Sequence, residues 1–288
     1  MTGLINDVSD TAYWIAHHRA AETARPDALF RDPLAGRLAG ERGRDIAAAM
    51  PVPHMIGWSV TIRTCIVDDY IRSAVARGVD MVVNLGAGLD TRPYRMDLPA
   101  RLRWVEADYP RIIEYKESVL AGEHPTCRLE RVKIDLADRS QRKSFLAGLD
   151  AQAQRLLVLT EGVVPYLEVE EAAALADDLK ALDHAAGWVV DYFSAEANQF
   201  RRRSGMTKAM QNAPFRFTPE DPFAFFAAHG WRTAEIRYLP DEGDRLRRPM
   251  PVNPLLKAFV GFITLFAPPA RRDALRRFAG YMLLEKQG

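Results

Sequence analysis

The sequence predicts an α/β fold built on a seven-stranded, mostly parallel, Rossmann-like sheet. Short apolar runs rich in β-branched residues alternate with helical patterns, and one of these runs breaks directly into a Gly-x-Gly turn. Such alternation indicates parallel strands joined by crossover helices. The five runs in the first part of this pattern are 81–85, 102–106, 128–134, 155–160 and 188–193, and the last two are 233–239 and 279–285.

A long segment precedes the first strand, and two insertions interrupt the last ones. Residues 10–75 begin with the N-cap candidates Ser9, Asp10 and Thr11 and read as several helices. The insertions, 196–230 and 240–278, are expected to fold over the carboxyl edge of the sheet as a cap. The alternative is that they enlarge the protein without covering a site. We therefore expect a single domain, with a helical leader or lid (1–77), a cofactor-binding half (78–195) and cap insertions with the last strands (196–288).

Composition limits the classes of partner. The 288 residues are 48% hydrophobic and carry 39 basic against 38 acidic side chains, so the net charge of +1 gives no electrostatic footprint for nucleic acid or an anionic membrane. The expected partner is a small molecule or a local feature of a protein.

Cysteine usage and hydropathy favour a cytoplasmic protein. Cys65 and Cys127 are too few for a disulfide framework and show no metal-ligand spacing, so no metal site is expected. The first ten residues do not resemble a secretory signal. The apolar run 254–269 is shorter than the roughly 20 residues of a membrane span and is interpreted as a buried or lid helix.

The turn after the first strand is the first candidate site. Gly86, Ala87 and Gly88 follow the apolar run, which is how a parallel sheet opens a site for an adenosine-bearing cofactor. The third glycine of a dinucleotide fingerprint is replaced by the stretch Asp90, Thr91 and Arg92, which disfavours nicotinamide and flavin cofactors. S-adenosylmethionine fits, since its amino-acid tail needs bare backbone but no pyrophosphate site; an ordinary strand-to-helix turn remains the alternative.

Carboxylates at the next two strand ends extend the site. Asp108 lies twenty residues past Gly88, where a carboxylate can accept both ribose hydroxyls, although turn chemistry before Pro110 is an alternative. Asp135 can accept the exocyclic amine of adenine while Leu136 covers the ring; a helix N-cap is the alternative for this region.

Two further charges are candidates for the cofactor's methionyl end. Glu161 directly follows the fourth run and precedes Gly162, and we expect it to be solvated unless a cationic cofactor is its partner. Arg63 tops an apolar stripe with Val67, Ile71 and Val75, and it can clamp a carboxylate in bidentate fashion. An ion pair with Asp68 or Asp69, or a snorkelling side chain, remains open for Arg63.

Three stretches resemble the leucine carboxyl methyltransferase family: Leu85 to Arg95, Val105 to Pro110 and Thr160 to Leu167, within a similarity that begins in a leader containing Phe30-Arg31-Asp32-Pro33. The likeness is nearest to the bacterial branch with polyketide carboxyl O-methyltransferases. It implies a class I methyltransferase sheet and S-adenosylmethionine as cofactor. It also implies Arg63 on the cofactor's carboxylate, Gly86 on its tail, Asp108 on ribose, Asp135 and Leu136 on adenine, and Glu161 near the methionyl end.

The resemblance predicts O-methyl transfer to a small molecule by direct displacement, with positioning supplying most of the rate. A carboxylate acceptor is ionised at neutral pH and needs no general base, whereas a phenol benefits from one, and we name none. Tyr166, Tyr192 and Arg92 are candidate substrate contacts, with Phe193 and Arg95 nearby. For both arginines, ion pairing with Asp90 or Asp97 is the alternative. The phenylalanines between 215 and 226 can line an acceptor pocket or belong to the core.

Other classes stay open at this stage. A protein that binds the cofactor without transferring methyl, as a sensor or a non-methylating enzyme, would share these residues. A protein carboxyl methyltransferase is a third possibility, and a dehydrogenase is disfavoured by Thr91.

Overall fold

A computed structural model of the chain describes residues 5–203, 205–252 and 276–288. Its centre is a seven-stranded sheet in the order β3-β2-β1-β4-β5-β7-β6. The strands are β1 (Met81–Leu85), β2 (Arg103–Asp108), β3 (Arg128–Lys133), β4 (Leu156–Thr160), β5 (Ala185–Phe193), β6 (Trp231–Tyr238) and β7 (Ala279–Lys286). The first five are mutually parallel, and β7 runs antiparallel to both β5 and β6. The predicted fold class, a mostly parallel class I methyltransferase sheet, is confirmed.

Helices precede the sheet, connect its strands and cover both of its faces. They are α1 (Asp10–Thr23), α2 (Ala35–Ala49), α3 (Pro53–Ala76), α4 (Arg92–Arg95), α5 (Pro110–Val119), α6 (Arg139–Asp150), α7 (Val169–Lys180), α8 (Ala195–Arg203), α9 (Met206–Ala209), α10 (Pro222–Ala228) and α11 (Leu239–Arg245). On one face, Ile62 and Ile66 of α3 pack against Trp104 of β2. On the other, Leu175 of α7 and Phe226 of α10 pack in the same cluster as strand residues such as Val83.

The leader covers the carboxyl edge of the sheet. Ala16 of α1 and Leu38 of α2 pack with Leu89 of the glycine turn and Ile112 of α5. Helix α1 begins at Asp10, so Ser9 occupies the predicted N-cap position, but its side chain makes no capping hydrogen bond. The leader thus forms the layer in contact with the strand ends.

The insertion after β5 packs one layer further out. Met210 and Ala213 join Trp14 of α1 and Ile46 of α2 in a small cluster. The apolar run 254–269 lies outside the described residues, and so do parts of the second predicted insertion. Within the described part of the chain, every helix is too short or too polar to cross a bilayer.

Candidate active site

A cavity of about 470 Å³ opens at the carboxyl ends of the parallel strands. Its volume is in the range of small-molecule sites. The cavity is lined by the glycine turn after β1, the end of β2, the loop after β3, the end of β4 with the loop that follows it, and by residues of helices α1, α3, α6 and α7. Among the described residues, the lining includes α1 and α3 of the leader and no residue of the two predicted cap insertions.

The glycine turn requires both of its glycines. Gly86 has φ +66° and Gly88 has φ +51°, a region that favours glycine. A Cβ atom on Gly86 would lie 2.4 Å from Cγ2 of Val163, and one on Gly88 would lie 3.3 Å from Cβ of Ala12 in α1. The absence of Cβ atoms therefore lets the loop after β4 and helix α1 pack closely against the turn. Gly86, Ala87 and Gly88 also line the cavity.

Asp108 closes β2 beside this turn. Its Oδ2 accepts the Gly88 N–H at 2.6 Å and its Oδ1 accepts the Tyr109 N–H at 2.7 Å. The turn chemistry weighed above is thus present, but each oxygen keeps a further lone pair and the side chain lines the cavity. Burial raises the pKa of Asp108, and the hydrogen bonds from Gly88 and Tyr109 oppose the change.

The loop after β3 separates the two predicted adenine contacts. Leu136 is half-buried and lines the cavity, whereas Asp135 is exposed and does not. The Asp135 carboxylate accepts the Ala137 N–H at 2.9 Å. The helix N-cap belongs to Asp138, which accepts the Ser140 and Gln141 N–H groups at the start of α6. The contact between Asp135 and adenine therefore stays a prediction.

Glu161 has protein partners, contrary to the expectation that it would be solvated without a cofactor. Its Oε1 lies 2.9 Å from Nε of Arg63, and its Oε2 lies 2.8 Å from a terminal nitrogen of Arg92. The sequence did not show these pairs because α3 and the glycine turn bring the arginines to β4 only in the folded chain. The alternative of an Arg63 pair with Asp68 or Asp69 is wrong.

Arg63 keeps most of its donors. Its contact with Glu161 lies outside hydrogen-bond angles, and among the described residues its guanidinium donates no hydrogen bond. The side chain is 17% exposed and lines the cavity. A half-buried guanidinium with unused donors is suited to a bidentate carboxylate ligand.

Arg92 is held by acids of the protein. Its Nε donates to Asp68 at 2.7 Å and a terminal nitrogen donates to Asp90 at 3.0 Å. Arg95 also donates to Asp68, at 2.7 and 2.8 Å. Arg92 therefore pairs with Asp90, as the alternative expected, whereas Arg95 pairs with Asp68 instead of Asp90 or Asp97. These contacts favour Arg92 as a support for Glu161 and the turn over a substrate contact. Burial opposes the charge of Arg92, but Asp90, Glu161 and Asp68 raise its pKa well above the usual value.

Sequence reasoning missed the contacts that bind the leader to the turn. Asp32 accepts from Nε of Arg19 at 2.8 Å and from the Thr91 hydroxyl at 2.6 Å. Arg19 also donates to the carbonyl of Leu89 at 2.5 Å. All three polar side chains are buried. The leader carries several other charged residues, so nothing in the sequence singles out Arg19 and Asp32.

The two candidate tyrosines occupy different places. Tyr166 lines the cavity, with its ring 4.9 Å from that of Phe215. Tyr192 does not line the cavity: it belongs to the core cluster, and its ring contacts those of Phe223 and Tyr238, so its substrate role stays a prediction that this geometry disfavours. Successive strand residues face opposite sides, and position at a strand end does not reveal which side faces the ligand. The core alternative is likewise correct for Phe226, which is fully buried.

A buried acid beneath the site responds to pH. Asp191 of β5 accepts the Gly162 N–H at 2.8 Å and the Tyr281 hydroxyl at 2.7 Å. Burial raises its pKa from 3.8 to about 6, against the opposing effects of Tyr281 and Arg63. Between these values the unfolded chain has lost this proton and the folded chain keeps it, so the contribution of Asp191 to stability falls as pH rises.

Replacing Asp191 with asparagine is therefore expected to change stability, relative to the unmodified protein, more favourably at pH 7 than at pH 4. The free energy of unfolding of Asp191→Asn, compared with the unmodified protein, should increase by up to about 3 kcal/mol between pH 4 and pH 7. Urea unfolding at both pH values measures this difference. The exposed Asp45→Asn serves as control, and a difference that is the same at both pH values would contradict the assignment.

Histidine, lysine and cysteine are missing from the described residues that line the cavity. His18, the nearest histidine on α1, is buried, and burial together with the charges of His17 and Arg63 lowers its pKa to about 4. Across the described ranges, no three His, Cys, Asp or Glu side chains group as metal ligands would.

Comparison with known proteins agrees with this geometry. A family model described as leucine carboxyl methyltransferase matches residues 12–180. A Mycobacteroides abscessus protein provisionally named S-adenosyl-L-methionine-dependent methyltransferase is 31% identical over 280 residues, covering 86% of this chain and 91% of the relative. A Frankia alni protein with the same provisional name is 34% identical over 261 residues, covering 83% and 87%.

A solved structure shows the same fold. The chain matches a Streptomyces avermitilis protein described as a DUF574 family member with a TM-score of 0.55 and 16% identity, covering 96% of this chain and 97% of the other. At this identity the likeness shows the fold alone.

Proposed function

The chain belongs to the leucine carboxyl methyltransferase family, and we propose that it transfers the methyl group of S-adenosylmethionine to an oxygen of a small molecule, a carboxylate in preference to a hydroxyl. The observation that carries the choice of acceptor is the cavity lining, whose described part holds no histidine, lysine or cysteine. We further propose a polyketide-like acid as substrate class, because the wall formed by α1 and Tyr166 is largely apolar.

The cavity fits this cofactor. Unused donors on Arg63, the Asp108 carboxylate and the bare turn at Gly86 all border it. In this proposal Arg63 binds the carboxylate of the cofactor, Asp108 its ribose, and Leu136 with Asp135 its adenine. Glu161 lies near the methionyl end, held there by Arg63 and Arg92. When bound, S-adenosylmethionine supplies a methyl group on a sulfonium that a nucleophilic oxygen can displace.

A carboxylate is the acceptor that needs least from these residues. Its pKa of about 4 leaves it ionised at neutral pH, so the protein has only to orient it and exclude water. A phenol, with a pKa of about 10, benefits from a base of matching pKa. The acids near the methionyl end are engaged by arginines: Glu161 by Arg63 and Arg92, and Asp90 by Arg92.

The proposed division of the chain follows from the same contacts. Residues 1–77 act as a lid, since residues of the segment from Val8 to Arg19, most of it in α1, line the cavity. Residues 78–195 bind the cofactor, and residues 196–288 support the lid through Met210 and Ala213.

Replacing Arg63 with glutamine is expected to weaken S-adenosylhomocysteine binding about 30-fold, because a charge-assisted hydrogen bond to the ligand's carboxylate is lost. Calorimetry should show little change for adenosine, which lacks that carboxylate. Arg72→Gln is the matched control, because Arg72 lies on the same helix but pairs with Asp69 at the surface. Equal losses for both ligands would contradict the carboxylate role.

Methyl-labelled cofactor tests the function itself. We expect label to pass to organic acids in a panel of aromatic and polyketide-like carboxylates, and to do so faster than to the matching phenols. The panel includes a peptide ending in leucine, since label on its terminal carboxylate would indicate a protein substrate instead. Cofactor binding without label transfer to any acceptor would favour a sensor or a non-methylating enzyme.

A further inference from the structure

Trp14 of α1 combines two features at the cavity wall. Its side chain is 4% exposed and lines the cavity. Its indole N–H has no hydrogen-bond partner among the described residues. A buried donor without an acceptor is costly and uncommon in folded proteins, and at a ligand cavity the ligand can supply the acceptor.

In most of the other tryptophans of this chain, the indole N–H donates a hydrogen bond. Of the five tryptophans, three donate their indole N–H: Trp58 to the Arg248 carbonyl at 2.7 Å, Trp188 to the Thr160 hydroxyl at 2.8 Å and Trp231 to the Ala176 carbonyl at 3.0 Å. The N–H of Trp104 is also unpartnered, but that ring lies in the core on the α3 face of the sheet, away from the cavity. Only Trp14 therefore combines an unpartnered indole N–H with a side chain that lines the cavity.

Trp14 and Arg63 both border the cavity, and His18 interacts with each of them. The Trp14 ring is 5.9 Å from that of His18, which sits one helical turn further along α1. His18 in turn is close enough to feel the charge of Arg63, which lines the same cavity. Around Trp14 the surroundings are apolar, with Ile5, Ile46 and Met210 in the same cluster and Tyr166 packed against it.

We infer that Trp14 is a specificity-determining residue whose indole N–H binds the carboxylate of the methyl acceptor, and that the acceptor carries this carboxylate on a flat apolar body that packs between α1 and Tyr166. The inference rests on the proposed function and adds the acceptor's binding group. An indole N–H is neutral and does not titrate, so it orients a carboxylate without protonating it.

This arrangement leaves the chemistry balanced. One carboxylate oxygen forms the new bond to the methyl carbon while the carbon–sulfur bond breaks and its electron pair passes to sulfur. The other oxygen accepts the Trp14 N–H throughout. A carboxylate and a sulfonium become an ester and a thioether, and no proton moves.

The indole proton itself reports the contact. We would label the tryptophans with ¹⁵N, assign the Trp14 signal from its loss in Trp14→Phe, and saturate the protein with S-adenosylhomocysteine. Benzoate, 2-naphthoate, anthracene-2-carboxylate and octanoate are then added in turn. We expect the Trp14 proton to move downfield with at least one flat aromatic acid and not with 2-methylnaphthalene, while the Trp104 proton stays in place. If no acid moves it, or if both signals move together, the inference is wrong.

A binding cycle separates the hydrogen bond from packing. Trp14→Phe is expected to weaken binding of the acid that shifts the signal about 10-fold, and binding of its uncharged methyl analogue much less. S-adenosylhomocysteine affinity should stay within about twofold, because the proposed cofactor contacts are untouched. Equal losses for acid and analogue would mean that Trp14 only packs. If the unmodified protein does not bind S-adenosylhomocysteine, the proposed function itself is wrong.

Discussion

Replacing Asp108 with alanine is expected to lower the affinity for S-adenosylhomocysteine by at least about 100-fold. In the proposed site the carboxylate accepts both ribose hydroxyls, and hydrogen bonds to a charged group are worth about 1.5–3 kcal/mol each. The side chain also accepts the N–H groups of Gly88 and Tyr109, so its loss loosens the glycine turn. Titration calorimetry measures the change.

A matched control separates the ribose contact from the turn contacts. Asp80 precedes β1 at the opposite edge of the sheet, where its carboxylate accepts the N–H groups of Gln154 and Arg155. Asp80→Ala should leave ligand affinity unchanged. For 2′,3′-dideoxyadenosine, which lacks both hydroxyls, Asp108→Ala should cost much less than for adenosine. The ribose assignment is wrong if the two nucleosides lose affinity equally.

Replacing Gly86 with alanine is expected to abolish most cofactor binding, with at least a 30-fold loss of affinity for S-adenosylhomocysteine. The new Cβ atom would lie 2.4 Å from Cγ2 of Val163, a stiff β-branched side chain, so the loop after β4 must move. Glu161 and Gly162 belong to that loop and line the cavity. The positive φ adds strain of about 1 kcal/mol or more, and calorimetry with urea unfolding measures both effects.

Two companion variants identify the cause. Gly122 has φ +86° and open space around its Cβ position, so Gly122→Ala carries similar strain without a clash and should leave binding intact. Val163→Ala combined with Gly86→Ala removes the clash and should recover part of the affinity. If the double variant binds no better than Gly86→Ala alone, the contact with Val163 is not the reason.

Much of the fold followed from local pattern. The apolar run 81–85 coincides with β1, because a fully buried parallel strand has a continuous apolar signal. Strand β5 begins at Ala185, earlier than the predicted start at 188, since Ala185, Ala186 and Gly187 are small and lack that signal. The insertion of β7 between β5 and β6 came from pairing between distant segments, which periodicity does not reveal.

The candidate site was predictable where backbone topology decides position. Asp108 and Glu161 reach the cavity because the carboxyl ends of parallel strands share one edge. Where a residue's role depends on side chains from distant segments, the prediction failed or stayed open. Glu161 pairs with arginines from two other elements, and Tyr192 packs in the core. Trp14 carried no signal that distinguishes a cavity wall from ordinary core.

The leader and the glycine turn share a set of buried charged contacts, in which Arg19 spans Asp32 and the Leu89 carbonyl while Thr91 reaches the same carboxylate. Ordering at one end of such a set is thermodynamically coupled to ordering at the other, and the coupling is reciprocal. We therefore expect a nucleoside bound at the turn and an acceptor bound against α1 to raise each other's affinity by the same factor. Occupancy by both reactants together would then be favoured over occupancy by either one alone.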